Sequence, residues 1–513
     1  MKPINLKSIS HFFLLSAASL LMTSKTCAQN NQLQQNTLAD SNKAQIISNS
    51  LVYNNEEPLL FETMDKKDSA NAYQGSIMVP ENRNNPNSRM IPLHYVRFPA
   101  TGKNPGSPII YLSGGPGGSG IQTAMYPQFR FPLFMAMREF ADVIALDQRG
   151  TGASNITPKC ESSQILPQTE MLTDQDVKDY YTKAAHECMD FWKGKDVDVF
   201  GYTTVQSALD LDDLRKHFKT DKVTLWGISY GSHLAFAALK ELAGKIDKVV
   251  IASAEGLNQT VKLPANTDAY FDRLQKAINQ QPLAAKEYPD LKGLIKRIHN
   301  QLEKKPLDIK ILQKDGSHLD FLFQRMHMQL LASGMISDPT RGVKPLLALY
   351  KNLDQGDTIM LSKILERGYF NDNRISFKVM SFAMDVASGI TEDRRILIDQ
   401  QAKTALLGDA LNFPMPQLNR SIKGLDLGDD FRADPTSDVP TLLLTGTLDG
   451  RTYIKAQIEA TKGLSNLTHV MVKNAGHNLF MLSPEVSETI EKFLKGEKID
   501  KTEITVKLPQ FVQ

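Results

Sequence analysis

The sequence predicts an α/β protein: a mostly parallel sheet flanked by helices and interrupted, before its last strands, by a long helical insertion. Three observations carry this. Short apolar runs alternate with helical patterns between about residues 108 and 256, as a parallel sheet with crossover helices requires. From about 260 to 430 no convincing strand series continues, and apolar residues recur at helical spacing, as in Leu291, Leu294, Ile295, Ile298 and Leu302. Two further apolar runs, at 441–445 and 468–472, then resume the sheet.

At 513 residues and 41% apolar content, the chain has material for a large core, as several folding units or as one domain with an insertion. Its 59 basic and 57 acidic residues leave a net charge of +2, and no dense Lys/Arg run adds a local field. Nucleic acid is therefore not an expected partner. Lys2 and Lys7, the apolar run from Phe12 to Met22 and the small-residue segment Thr26-Cys27-Ala28 together resemble an export signal over residues 1–28. An 11-residue run broken by Ser16 and Ser19 is too short to span a bilayer. Lipidation at Cys27 is a lesser alternative, because Lys25 puts a charge where a lipoprotein signal wants small residues. The mature chain is expected to start near Gln29 and to be periplasmic or secreted. It then keeps Cys160 and Cys188, which we expect to be bridged, with free buried thiols as the alternative. Such a bridge stabilises by roughly 3 kcal/mol.

Residues 29–70 read as a polar lead-in that begins Asn/Gln-rich, and 71–259 as the first part of the core. Within that part, Gly75–Pro80 and Ile91–Phe98 are strands joined through the turn-rich Asn84–Ser88. A buried strand at 108–112 feeds Ser113–Gly120, a loop with five glycines in eight residues. No Lys-Ser/Thr follows, so a phosphate cradle does not fit and an oxyanion hole does. Another strand, Ala141–Leu146, enters Asp147–Ser154, whose Arg149 reads as a structural ion pair or cap. Helical patterns cover 174–192 and 204–218. Residues 260–430 form a helical cap in which Met326, Met328 and Met335 read as core. The core's second part, 431–513, ends on a helix started by Ser483 and Pro484.

The chemistry centres on Val223–Ser232, where an apolar run breaks into Gly-Ile-Ser-Tyr-Gly and a helical pattern follows. This is the pattern of a nucleophile elbow, which holds its Ser in a strained turn at a helix N-terminus. Asp449 follows the strand at 441–445 and His477 the strand at 468–472, so both sit past strand C-termini. Open α/β sheets place their sites there, and the order Ser229, Asp449, His477 is that of an α/β-hydrolase. His477 would take the proton of Ser229 while Asp449 orients the imidazole. Gly115 and Tyr230 would supply the oxyanion-hole N–H groups. His233 on the elbow helix and His469 inside a strand read as structural. No metal or cofactor is called for.

Taken together, Gly114–Gly117, Asp147–Ser154, Gly227–Gly231, Asp449 and His477 resemble the exported α/β-hydrolases of the prolyl iminopeptidase and tripeptidyl aminopeptidase type, over roughly residues 70–495. The resemblance implies a serine peptidase that removes single residues or short peptides from free N-termini, with acids of the cap region holding the amine. Glu255 and Asp385 are the acids singled out for that role, against structural ion pairing as the alternative. Ser113 stands where prolyl iminopeptidases usually carry His. A carboxylic ester hydrolase on the same triad is the second expectation, and a non-catalytic binding protein on this scaffold the third. The partner is a peptide or small-molecule substrate, and oligomeric state is left open.

Overall fold

A computed structural model describes residues 53, 55–128 and 130–512. The export signal at 1–28, with Cys27, and residues 29–52 of the lead-in lie outside the described residues.

Fourteen strands form among the described residues: β1 (Glu56–Glu62), β2 (Ser69–Pro80), β3 (Met90–Phe98), β4 (Ile109–Leu112), β5 (Val143–Leu146), β6 (Cys160–Ile165), β7 (Val223–Ser229), β8 (Ile246–Ala254), β9 (Leu307–Leu312), β10 (His318–Phe323), β11 (Arg374–Phe377), β12 (Thr441–Gly446), β13 (Leu467–Lys473) and β14 (Glu503–Thr505). Ten build the main sheet in the order β1-β2-β3-β5-β4-β7-β8-β12-β13-β14. β1, β2, β3 and β5 pair antiparallel, and every pairing from β5 to β14 is parallel. The central parallel strands β4, β5, β7 and β12 are largely apolar and buried on both faces, the pattern for a sheet covered by helices.

Two expectations change. Residues 56–70 are not lead-in, because β1 and the start of β2 already belong to the sheet. Pro58 argues against a strand in sequence, but β1 is an edge, where a missing N–H breaks no ladder. Alternation survives there: Phe61 is 4% exposed while its neighbour Leu60 is 60% exposed. Between β8 and β12, the insertion is mostly helical but not wholly so. β9 and β10 form a hairpin around Asp315-Gly316, with Gly316 at φ +86°. β11 leaves the insertion to pair with β6, placing Phe377 opposite Cys160.

The helices that bear on the site are α1 (Asp174–Lys193), α2 (Thr204–His217), α3 (Tyr230–Glu241), then α4 (Pro264–Ile278), α5 (Leu291–Lys304), α6 (Arg325–Met335), α7 (Lys344–Asp354) and α8 (Val379–Ser388) of the insertion, and α9 (Pro484–Lys495). The insertion has its own apolar cluster from α4 to α7, in which Met328 and Met335 are buried as expected, whereas Met326 lies half-buried outside it. That cluster also takes in Leu448, Tyr453 and Phe511 from outside the insertion. Phe511 is 1% exposed, and Gln281 of the insertion donates to the Pro509 carbonyl at 2.6 Å and accepts from the Phe511 N–H at 3.2 Å. The segment after β14 therefore straps the cap to the sheet.

Cys160 and Cys188 are bridged, with Cα atoms 5.6 Å apart, tying β6 to α1. Arg149 is structural, as expected. Fully buried, it makes a two-pronged pair with Asp210 at 2.6 and 2.7 Å and donates to the carbonyls of Glu81 and Gly201. One guanidinium thus holds the β2–β3 connection, the turn before α2 and α2 itself.

Candidate active site

β7 delivers Ser229 to the tight turn that starts α3. The serine has φ +55° and ψ −128°, a strained conformation for a residue with a side chain. Its bend exists because Gly231 has no Cβ: one added there would run into the Leu112 carbonyl of β4. Ser232, buried on the first turn of α3, donates to the Ser229 carbonyl at 2.6 Å and accepts from the Glu255 N–H at 2.8 Å. The elbow and the end of β8 are thereby joined through one hydroxyl.

Asp449 follows β12 and His477 follows its parallel neighbour β13. The structure brings them together: His477 Nδ1 lies 3.1 Å from both oxygens of Asp449. Asp449 is completely buried and also accepts from the Arg451 and Thr452 N–H groups and the Thr452 hydroxyl, at 2.7 to 3.0 Å. Burial pushes its pKa upward, but His477 and these donors outweigh burial and hold it below the ordinary carboxylate value. Two further bonds place His477: Ser253 at the end of β8 donates to its carbonyl at 2.8 Å, and its N–H donates to the Ser337 carbonyl of the cap at 3.0 Å. Among the described residues no hydrogen bond joins Ser229 Oγ to His477.

The glycine loop is held at both ends by the segment after β5. Gln148 donates to the Ser113 carbonyl at 3.0 Å, and Asp147 accepts from the Ser119 hydroxyl at 2.5 Å and the Ile121 N–H at 3.1 Å. Ser113 thus supports the loop through its backbone. Gly115 lies within the loop at φ +133°. Tyr230 is the first residue of α3, where a helix leaves its N–H groups without intrahelical partners. Its ring is buried, with the hydroxyl 2.8 Å from Met384 Sδ.

Glu255 is buried and paired with Lys262 at 2.8 Å. Asp385 is half-buried on α8 and approaches the same pair from the cap. Burial first, then the Glu255 charge, push Asp385 up to about 7, against the pull of Lys262. Sequence reasoning missed Ser232, Ser253 and Lys262. Ser232, three residues beyond the nucleophile, had a local signal in its first-turn position; the others had none. His233 proves structural, buried between the Gly256 carbonyl and the Ser388 hydroxyl, and His469 bonds Thr445 within the sheet.

Strand order, parallel crossovers and an elbow between β7 and α3 define one class, and this chain has the α/β-hydrolase fold. Family models agree. The model for the alpha/beta hydrolase fold matches residues 107–299 and the model for TAP-like proteins matches residues 428–505. The serine protease Hip1 of Mycobacterium tuberculosis is 29% identical over 189 residues, which cover 35% of this chain and 35% of that protein. The chain therefore matches about a third of the length of that curated relative. Among solved structures, the proline iminopeptidase-related protein of Thermus thermophilus aligns at 15% identity over 82% of this chain and 97% of its own, with a TM-score of 0.34. An esterase from Thermogutta terrifontis aligns at 14% identity over 82% and 98%, with a TM-score of 0.33.

Proposed function

We propose that this protein is a serine hydrolase, and specifically an aminopeptidase that releases single residues or short peptides from free N-termini. The observation that carries the hydrolase reading is the buried Asp449 bonded to His477 at the ends of adjacent strands, with Ser229 at an elbow of the same sheet. Ser229 Oγ attacks the substrate carbonyl as His477 takes its proton. Asp449 keeps the imidazole in the required tautomer and stabilises the imidazolium. The N–H groups of Gly115 and Tyr230 receive the developing oxyanion. His477 then protonates the leaving amine, and water repeats the sequence on the acyl-enzyme.

The aminopeptidase reading rests on the acids Glu255 and Asp385: the Glu255 backbone N–H is joined to the elbow through Ser232, and the two carboxylates interact electrostatically. One observation favours the ester hydrolase alternative: Lys262 already pairs Glu255, which leaves less charge for an incoming ammonium. A non-catalytic scaffold is disfavoured, since all three triad residues are present. The disulfide and the N-terminal pattern support export to the periplasm or medium.

A fluorophosphonate probe is expected to label the wild-type protein and not Ser229→Ala; absence of labelling in the wild type removes the hydrolase reading. Free-amine and N-acetylated peptides, with simple esters, then decide the subclass. Faster turnover of blocked peptides or esters than of free-amine peptides defeats the aminopeptidase assignment.

A further inference from the structure

The cap helix α8 lays one face over the elbow and the glycine loop. Ser381, Met384, Asp385 and Ser388 stand at i, i+3, i+4 and i+7, so they share that face. Each reaches a different part of the site. Ser381 Oγ donates to the Pro116 carbonyl at 3.1 Å, Met384 receives the Tyr230 hydroxyl, Asp385 lies within electrostatic reach of Glu255 and Lys262, and Ser388 bonds His233 at 3.1 Å. The contact with the loop is close. Gly117 has φ +105°, and a Cβ there would run into Ser381 Oγ, while Met380 covers Gly150 beside it. Gln148 and Asp147 hold the ends of the loop, and Ser381 holds its middle, at the carbonyl next to Gly115.

We propose that Ser381 is a positioning residue: from the cap it fixes the Pro116–Gly117 peptide, one residue beyond Gly115, so that the helix presenting Asp385 to the substrate also sets where the oxyanion hole stands. This rests on the serine hydrolase reading and adds to it a coupling between the cap and the chemistry. The physical reason is a difference in tolerance. Ser381 is half-buried, so water can replace its hydrogen bond with little loss of stability. An oxyanion donor, by contrast, must lie within a few tenths of an ångström of its place.

The test compares Ser381→Ala and Ser381→Thr with wild type in kcat and KM on a free-amine peptide, in affinity for a peptide boronate that forms a tetrahedral adduct, and in melting temperature. Ser381→Ala is expected to lower kcat and boronate affinity by about tenfold. KM should stay within about twofold and melting within about 2 °C. Ser381→Thr, which keeps the hydroxyl, should recover most of the loss. The proposal is overturned if Ser381→Ala leaves kcat and boronate affinity within about twofold. It is equally overturned if they fall only together with melting temperature and Ser381→Thr gives no rescue. Fluorophosphonate labelling run in parallel separates the levels: a labelled wild type with an unaffected Ser381→Ala sinks this coupling alone, and an unlabelled wild type sinks the hydrolase reading as well.

Discussion

Replacing Asp385 with Asn should stabilise the protein while removing the preference for free-amine substrates. An aspartate ordinarily ionises near 3.8, and burial with the Glu255 charge moves this one to about 7. Between those pH values the folded state binds more protons than the unfolded state, so stability falls as pH rises, and above 7 the full cost is present. The gap from 3.8 to about 7 corresponds to a free energy on the order of 4 kcal/mol. Partial solvent exposure screens some of it, leaving roughly 2–4 kcal/mol. For a chain of this size that is a rise in melting temperature of about 2–4 °C at pH 8, shrinking towards zero at pH 4. Against this, loss of a charged partner for an ammonium costs about 2 kcal/mol, or roughly thirtyfold in kcat/KM on free-amine peptides. Turnover of N-acetylated peptides should be nearly unchanged. Thermal melts of both proteins across pH 4 to 8, with kinetics on paired free and blocked peptides, read both effects. A variant that melts lower than wild type at pH 8, or one that keeps the ratio of free to blocked turnover, refutes the reasoning.

Asp449→Asn should lower kcat by about 10⁴, since the amide stabilises the wrong tautomer of His477, with the fold intact by circular dichroism. Because native Asp449 is held below its ordinary pKa, its pairing contributes stability above about pH 4 that is lost as pH falls further. The variant should therefore lack this part of the acid transition seen by melting. Replacing both Cys160 and Cys188 by Ala should cost roughly 3–4 kcal/mol and make β6, β11 and α8 more open to limited proteolysis, since β11 pairs with the strand that Cys160 anchors. Arg149→Lys should behave almost as badly as Arg149→Ala, each losing about 3–5 kcal/mol by denaturant titration, because an ammonium cannot reproduce the two-pronged pair with Asp210 and the carbonyl contacts.

The parallel sheet and the elbow were legible because their signals are local: an apolar run, a glycine pattern and a polar residue just past each strand. Ser229, Asp449 and His477 stood out for that reason, although the contact between the last two is a product of β12 lying beside β13. The structural role of Arg149 was also readable, from its place in a glycine turn. β1 was not read from a segment taken as polar lead-in, and its Pro58 fits a strand only at a sheet edge, which the sequence does not reveal. The hairpin at Asp315-Gly316 carried a turn signal that the surrounding helical periodicity outweighed. Glu255 and Asp385 were nameable as acids, but 130 positions separate them, and only the fold reveals that Lys262 pairs with Glu255 and acts on both. Ser381 had no signal at all, since a serine on an apolar helix is ordinary until Pro116 is found beneath it.

The strap formed after β14 changes how the cap can move. An insertion entering after β8 and leaving before β12 is held to the core by more than its two chain crossings, since β11 pairs with β6 and the Ser337 carbonyl accepts from the His477 N–H. Phe511, seated among the residues of α4 to α7 and bracketed by Gln281, adds another tie from the far end of the chain. A body tied at several separate places resists swinging as a unit. On the proposed aminopeptidase reading, substrate entry then depends on loops and single side chains rather than on a swinging cap.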